Sequence, residues 1–504
     1  MLAGEAVSYS GAIEATAPSA PEAADARSDR VARNIVVLLI AQAAIWIAGS
    51  GLGILLPRFF GDANIGRLTF AYSLTGFFAV IILFGCEPYL AREVARRPET
   101  APHLAFNALI VKIPLMLLCV AGAVAFVNVF SYPEATRRIV YVLSAGMCLA
   151  AVGNTISATL QGLERMTLTS SAAVLERVLS GVLGVGAVAL AGMGLTEYAL
   201  ILLATSGLTT VIVGGYFVRT IGLSYRIDIT VCRELLRGGS PFLLWSIALL
   251  VYATIDITML SLMTSDQVVG WYGTAYRFVG IATFFPSAIT MALLPNVSRG
   301  GIAESRSLIR RCLNLAMLIS FAITVFFLVG ASAIIDFLGY PAGFRHTVLL
   351  LRILSLHIPL TTFGMIAGVV VIASHREGAR TKAAIIAAIL NPLMNLAAIP
   401  YFEHSAGNGA IGAAITSVII EVFMTSVMFA LVPKGVFDGS NINNILRSLV
   451  AGLAMAAGML IAAPFGLIPM AALGGASFAI TAVAVRAVSI GEMRGVLQTV
   501  ARRR

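Results

Sequence analysis

The chain has 504 residues, of which 59% are hydrophobic and only 12% charged, and its mean hydropathy is +0.93. A water-soluble domain carries about a quarter of its residues charged, so this composition excludes one and leaves lipid as the solvent. The formal charge of +10 does not point to nucleic acid, because the basic residues alternate by side of the membrane instead of forming one patch.

Residues 1–33 are rich in Ala, Ser, Pro and Glu and contain no apolar run, which predicts a disordered cytoplasmic tail. They lack the basic and short apolar regions of a cleaved signal peptide, so the first span is expected to serve as an uncleaved signal. About fourteen apolar spans of roughly 20 residues follow. They lie near 34–56, 66–85, 104–128, 138–160, 168–191, 197–217, 241–263, 268–293, 309–330, 347–372, 382–400, 409–431, 445–464 and 467–488. With the N-terminus placed inside, about 25 of the 34 Lys and Arg fall on cytoplasmic segments. They include Arg92, Arg96 and Arg97, then Arg306, Arg310 and Arg311, and finally Arg502, Arg503 and Arg504. This bias predicts a multi-pass protein of the cytoplasmic (inner) membrane with both termini in the cytoplasm.

No loop exceeds roughly 20 residues and no GxxxxGK[ST] occurs, which leaves no room for a nucleotide-binding domain. Any energy must come from an ion gradient, the membrane potential or the substrate's own gradient. The five cysteines form no CxxC pair, so neither a disulfide framework nor a metal site is expected. The histidines at 103, 346, 357, 375 and 404 are scattered, and there is no HExxH or GxSxG. An enzyme is therefore not expected.

The chain repeats itself. Asp62, Gly66, Ala71 and Tyr72 match Asp266, Gly270, Ala275 and Tyr276 at one shared offset, and Pro88, Arg92 and Asn107 match Pro295, Arg299 and Asn314 at nearly the same one. The separation is six spans, an even number, so the repeat is parallel and relates two lobes about an axis along the membrane normal. The expected division is a tail at 1–33, an N-lobe of six helices at 34–230, a C-lobe of six at 231–436, and two further helices with a basic tail at 437–504.

The segment LPRFFGDANIGRLTFAY (Leu56 to Tyr72) and PYLAREVAR (Pro88 to Arg96) resemble the polysaccharide-transporter branch of the MOP flippase superfamily. So do YATIDITMLSLMTSDQVVGWYGTAYRFVG (Tyr252 to Gly280) and ILNPLMNLAAIPYFEHSAGNGAIGAAITSVIIE (Ile389 to Glu421). The last carries Asn391, Asn395, Ile399-Pro400, Gly409, Gly412 and Thr416 in the family's order. The resemblance spans about residues 34–490. It implies an all-α membrane protein with two pseudo-symmetric six-helix lobes in a V around a central cavity, working by alternating access. It also implies transport of undecaprenyl-pyrophosphate-linked oligosaccharide units between leaflets for polysaccharide assembly, with the polysaccharide polymerase machinery downstream. Relatives flip a lipid-linked peptidoglycan precursor or export drugs. A monomer is expected, with no cofactor beyond a possible H⁺ or Na⁺ gradient.

Seven ionisable side chains lie inside the apolar spans: Lys112, Glu176, Arg177, Asp256, Arg277, Arg352 and Glu421. A charge at the centre of a spanning helix costs roughly 2.5–3.5 kcal/mol on insertion scales, so such residues face protein or water and suggest a pathway. Arg277, Arg177, Arg352 and Lys112 are read as cations lining the cavity for a pyrophosphate, which guanidinium forks bind in bidentate fashion. The alternatives are pairing for Arg177 and snorkelling for Lys112 and Arg352. Asp256, Glu421 and Glu176 are read as coupling or gating acids, with an ion-pair gate to Arg277 as one reading of Asp256, against hydrogen bonding within a lobe. Arg92 and Arg299 are expected at a cytoplasmic gate or as plain topology signals. Pro392 and Pro286 are candidate hinges. Tyr72, Trp271, Tyr272 and Tyr276 are expected mainly as interface anchors, with Tyr72 and Tyr276 as alternative sugar platforms.

Overall fold

The computed structural model describes residues 53–487. The expected tail at 1–33, nearly all of the span at 34–56 and the basic C-terminal tail lie outside the described residues.

Fifteen α-helices follow in order among the described residues: α1 (Leu56–Leu83), α2 (Cys86–Arg96), α3 (Ala101–Val129), α4 (Glu134–Gly162), α5 (Met166–Ala191), α6 (Leu195–Thr220), α7 (Ile229–Met263), α8 (Asp266–Ala282), α9 (Phe284–Phe337), α10 (Arg345–Ser355), α11 (His357–Ala373), α12 (Glu377–Ala406), α13 (Ala410–Leu431), α14 (Gly439–Ala462) and α15 (Leu467–Ala484). No strand occurs among them. The solvent dictates this, because a lone helix pairs its own backbone groups and each unpaired one costs several kcal/mol in hydrocarbon.

Twelve helical stretches are long and apolar enough to cross a membrane. One of them, Asp266–Phe337, runs for 72 residues, or about 108 Å at about 1.5 Å per residue, enough for two crossings. It contains α8 and α9, where two spans and a cytoplasmic loop were expected. The loop is helical instead, and the chain bends at Gly301, whose φ of 71° suits a residue without Cβ. A count of fourteen is not established by these helices, since the first expected span lies outside them.

Other boundaries moved for local reasons. α1 begins ten residues before the apolar run at 66, with Pro57 in its first turn where a missing N–H costs nothing. The basic stretch after it forms α2, because Cys86, Leu90 and Val94 recur every four residues and bury one face. The expected span at 347–372 divides into α10 and α11 at Leu356. Pro286 stands in the first turn of α9, directly after a break at Thr283, whereas Pro392 lies inside an unbroken α12.

The repeat mates meet. α1 packs along α8, and the contact is reciprocal. A Cβ on Gly66 would overlap the carbonyl oxygen of Asp266, and one on Gly270 would overlap that of Asp62. Each glycine thus faces its partner's aspartate, as a local two-fold requires. The same symmetry governs the side chains. Arg67 Nε donates to Asp266 at 2.8 Å, and Trp271 Nε1 donates to Asp62 at 3.0 Å. Positions 67 and 271 are related by the same offset as the two glycines.

The second set of mates shares a task at the starts of two later helices. Asn107 on α3 accepts from the Asp228 backbone N–H at 2.8 Å and donates to Arg226 C=O at 3.1 Å, holding the start of α7. Asn314 on α9 accepts from Asn441 at 2.8 Å, holding the start of α14. Both α7 and α14 are N-capped by aspartates, Asp228 and Asp438. Hydrogen bonds from backbone Thr230 N–H and the Ser440 hydroxyl, respectively, lead the contributions that hold these two carboxyls below the usual carboxylate range. α14 and α15 pack on each other and on α9.

Gly270→Ala should hold α1 and α8 apart, an overpacking cost of about 1–3 kcal/mol. The expected readout is faster labelling, by an impermeant thiol reagent, of a cysteine placed at Thr69, which packs on Gly273 in the same seam. Unchanged labelling in both Gly66→Ala and Gly270→Ala would show that the seam is not the closure.

Candidate substrate and coupling sites

Tyr72 on α1, Arg277 on α8, Arg177 on α5 and Tyr198 on α6 bring four helices together at one level. Arg277 and Arg177 both lie within electrostatic reach of the Tyr72 and Tyr198 hydroxyls. Tyr72 stays 43% exposed although α1 is at the centre of the molecule, which makes it a wall of an internal space. Arg277 donates to the Gly53 carbonyl, and Tyr340 donates to the Ile54 carbonyl beside it. Arg177 is exposed, and its side chain has no hydrogen-bond or ionic partner among the described residues. Neither guanidinium meets a carboxylate there.

This level is shut off on both sides. Above it lies the α1–α8 seam. Below it, a Cβ on Gly85 would stand 2.5 Å from Gly239 C=O, and one on Gly239 would stand 2.5 Å from Phe84 C=O. Cys86 Sγ reaches Leu235 C=O at 3.8 Å in the same contact between α2 and α7.

The remaining expected cations are placed differently. Lys112 is 1% exposed and does not line the internal space. It pairs with Glu87 and donates to Thr155 Oγ1 at 2.6 Å. Arg352 is exposed on α10 and donates to the Leu328 carbonyl at 3.1 Å, away from the other cations. Arg92 lies beside Glu93 at 3.6 Å and over the Tyr89 ring at 5.4 Å, while Arg299 donates to Pro295 C=O at 3.3 Å. Neither reaches across the two halves, so the closure at that end is made by glycines and not by these arginines.

The acids are enclosed by hydroxyls. Asp256 is 1% exposed; it accepts from Tyr272, from Ser417 at 3.2 Å and from Ile257 N–H at 3.0 Å. It forms no ion pair with Arg277. Glu421 accepts from Tyr252 and from Thr361 at 2.9 Å, with His357 Nε2 at 3.4 Å. Glu176 accepts from Thr209 at 3.3 Å within the same half. Tyr272 is fully buried, Tyr276 donates to Ala253 C=O at 3.2 Å, and Trp271 stacks on His346 at 4.2 Å. These three are therefore packing groups and not interface anchors. Sequence reasoning missed Tyr252, His357 and Thr361. The available signal was His357 and Thr361, four residues apart and so on one face of an otherwise largely apolar helix.

Twelve helical stretches able to cross a membrane, two of them paired across a glycine seam, define a multi-pass membrane protein. Solved structures of MOP-fold transporters share this architecture. The lipid II flippase MurJ in an inward closed conformation aligns with a TM-score of 0.71 at 15% identity, covering 90% of this chain and 99% of that one. An inward-facing multidrug MATE transporter aligns at 0.55 and 16% identity, covering 82% of this chain and 95% of the other. A curated protein of Haloferax volcanii, the "probable low-salt glycan biosynthesis flippase Agl15", is 22% identical over 396 residues, spanning 77% of this chain and 80% of that protein. The model of the polysaccharide biosynthesis protein family matches residues 31–300, more than half the chain, and the chain belongs to that family.

Lys112→Met should lower the unfolding temperature in detergent by the equivalent of about 3 kcal/mol, because it leaves Glu87 without its cation. Adding Glu87→Gln should recover most of that loss. Normal stability with lost transport would instead place Lys112 on the substrate path.

Proposed function

We propose that this chain moves undecaprenyl-pyrophosphate-linked oligosaccharide units from the inner to the outer leaflet of a bacterial cytoplasmic membrane, by alternating access. The observation that carries this is the pair Arg177 and Arg277, brought to one level from the two halves of the repeat without a carboxylate partner among the described residues. Such cations are costly in a membrane unless an anion visits them. A diphosphate offers several oxygens to two guanidinium forks, and each charge-assisted hydrogen bond is worth about 1.5–3 kcal/mol. Tyr72 and Tyr198 add aromatic faces and hydroxyls for a polar headgroup. The polyprenyl tail remains in lipid.

Entry from the cytoplasm would part α2 from α7, and release outside would part α1 from α8. The family membership and the glycan-flippase relative support a lipid-linked glycan as cargo. A cationic drug is disfavoured, since two unpaired guanidiniums repel it. In this reading the protein acts as a monomer with both termini in the cytoplasm. An H⁺ or Na⁺ gradient supplies the energy, and the glycan passes to polymerase machinery outside.

Surface glycan in cells that depend on this chain tests the reading. Arg177→Ala and Arg277→Ala should each lower it about tenfold or more, the equivalent of one lost charge-assisted contact. The double variant should abolish it while inserting at the normal level. Full export by the double variant overturns the proposal. Accumulation of peptidoglycan precursor in place of lipid-linked oligosaccharide would reassign the cargo.

A further inference from the structure

Glu421 on α13 is 4% exposed and sits against α7 and α11. His357, on α11, is held at both ring nitrogens. Its Nδ1 is 2.8 Å from Thr361 Oγ1, and its Nε2 is 3.4 Å from Glu421 Oε2. Thr361 Oγ1 also lies 2.9 Å from Glu421 Oε1, so one hydroxyl bridges the imidazole and the carboxylate. Tyr252 of α7 donates to Oε2.

Counting donors assigns the proton load. With one shared proton between His357 Nε2 and Glu421 Oε2, every group is matched. Nδ1–H donates to Oγ1, Oγ1–H donates to Oε1, and the Tyr252 hydroxyl donates to Oε2. The net charge of the pair is then zero. Remove that proton and the network fails in one of two ways. With Nδ1 still protonated, Nε2 and the carboxylate face each other without a hydrogen. With Nε2 protonated instead, the single Thr361 proton must choose between Nδ1 and Oε1. Either way a buried carboxylate is left with uncompensated charge, which a low-dielectric interior penalises.

We propose that Glu421, His357, Thr361 and Tyr252 form a binding site for one proton, and that its loading and release shift α11 against α13 and α7 during the transport cycle. The coupling half of this proposal rests on the flippase reading; the proton site itself does not. The His357 side chain is the more exposed member of the pair, at 11% against 5% for Glu421. Tyr276 of α8 is the other titratable group facing Glu421, with its hydroxyl engaged by Ala253 C=O. Asp256 lies one turn beyond Tyr252 on α7, bound to Tyr272 and Ser417. α12 contributes Asn391, which donates to the Tyr252 carbonyl at 2.9 Å. No Lys or Arg pairs with Glu421 among the described residues. A hard alkali cation is a poor occupant, because it prefers oxygen cages and an imidazole stands in this one.

The test is proton uptake by purified full-length protein in detergent when the pH falls from about 8 to about 3.5, a range that takes in ordinary His and carboxyl titration. The double variant H357Q/E421Q should take up about one proton fewer per chain than wild type, with loss of a protonated-carboxyl infrared band. Thr361→Val keeps the titrating groups and should alter the pH of uptake without removing it, so it serves if the double variant does not fold. Equal uptake and unchanged pH profiles in these variants overturn the site. In cells, a protonophore should lower wild-type surface glycan. Export that ignores the protonophore, or that follows sodium alone, overturns the coupling role. Loss of the proton in a chain whose wild type exports no glycan keeps the site and removes the cargo assignment.

Discussion

Among the described glycines, Gly66 and Gly270 leave the least room for a Cβ, each bringing its helix onto the carbonyl of the other's aspartate. Lipid offers little drive for helices to associate, so packing at short range must supply it, and small residues permit that range. The seam sets more than the local geometry. It aligns α1 and α8 at one register, and Tyr72 and Arg277 stand at one depth because both are counted from the same pair of aspartates. Arg67 and Trp271, at equivalent positions, then close the seam with unlike chemistry, one by an ion pair and one by an indole hydrogen bond. A perfect repeat would place the same charge on both sides of the axis. The divergence at these two positions allows the same shape without like-charge repulsion.

Desolvation sorts the charges inside the spans. Lys112 is neutralised by Glu87 within its own half, and Arg352 leans on a backbone carbonyl at the lobe's exterior. Asp256, Glu176 and Glu421 are each satisfied by hydroxyl donors. Arg177 and Arg277 are left without a carboxylate. Fixed structure has therefore absorbed the charges that packing could satisfy. Arg277 meets only the Gly53 carbonyl and Arg177 has no hydrogen-bond or ionic partner among the described residues; under the proposed function the ligand would complete their charge balance.

The same economy of parts recurs at Asn107 and Asn314, which occupy matching places in the repeat and anchor the first turns of α7 and α14. α14 thus stands to the second half as α7 stands to the first, which explains how an added helix pair can join the fold through a contact already present in it.

Much of this was legible without coordinates. Apolar runs report directly on transfer into lipid, which is a local property of each segment, so the helical membrane class follows from composition. Offsets between Asp62 and Asp266, or Gly66 and Gly270, likewise survive in the chain because backbone contacts tolerate few residue types. The roles of single charges were not legible. Lys112 and Arg177 look alike in sequence, each a cation near the middle of an apolar span, and what separates them is whether Glu87 from another helix reaches the site. The same holds for His357, one of several scattered histidines until α13 and α7 bring Glu421 and Tyr252 against it. Partition between water and lipid is additive along the chain and the sequence determines it alone. Partnership between charges depends on distances across helices, and only the tertiary structure decides those.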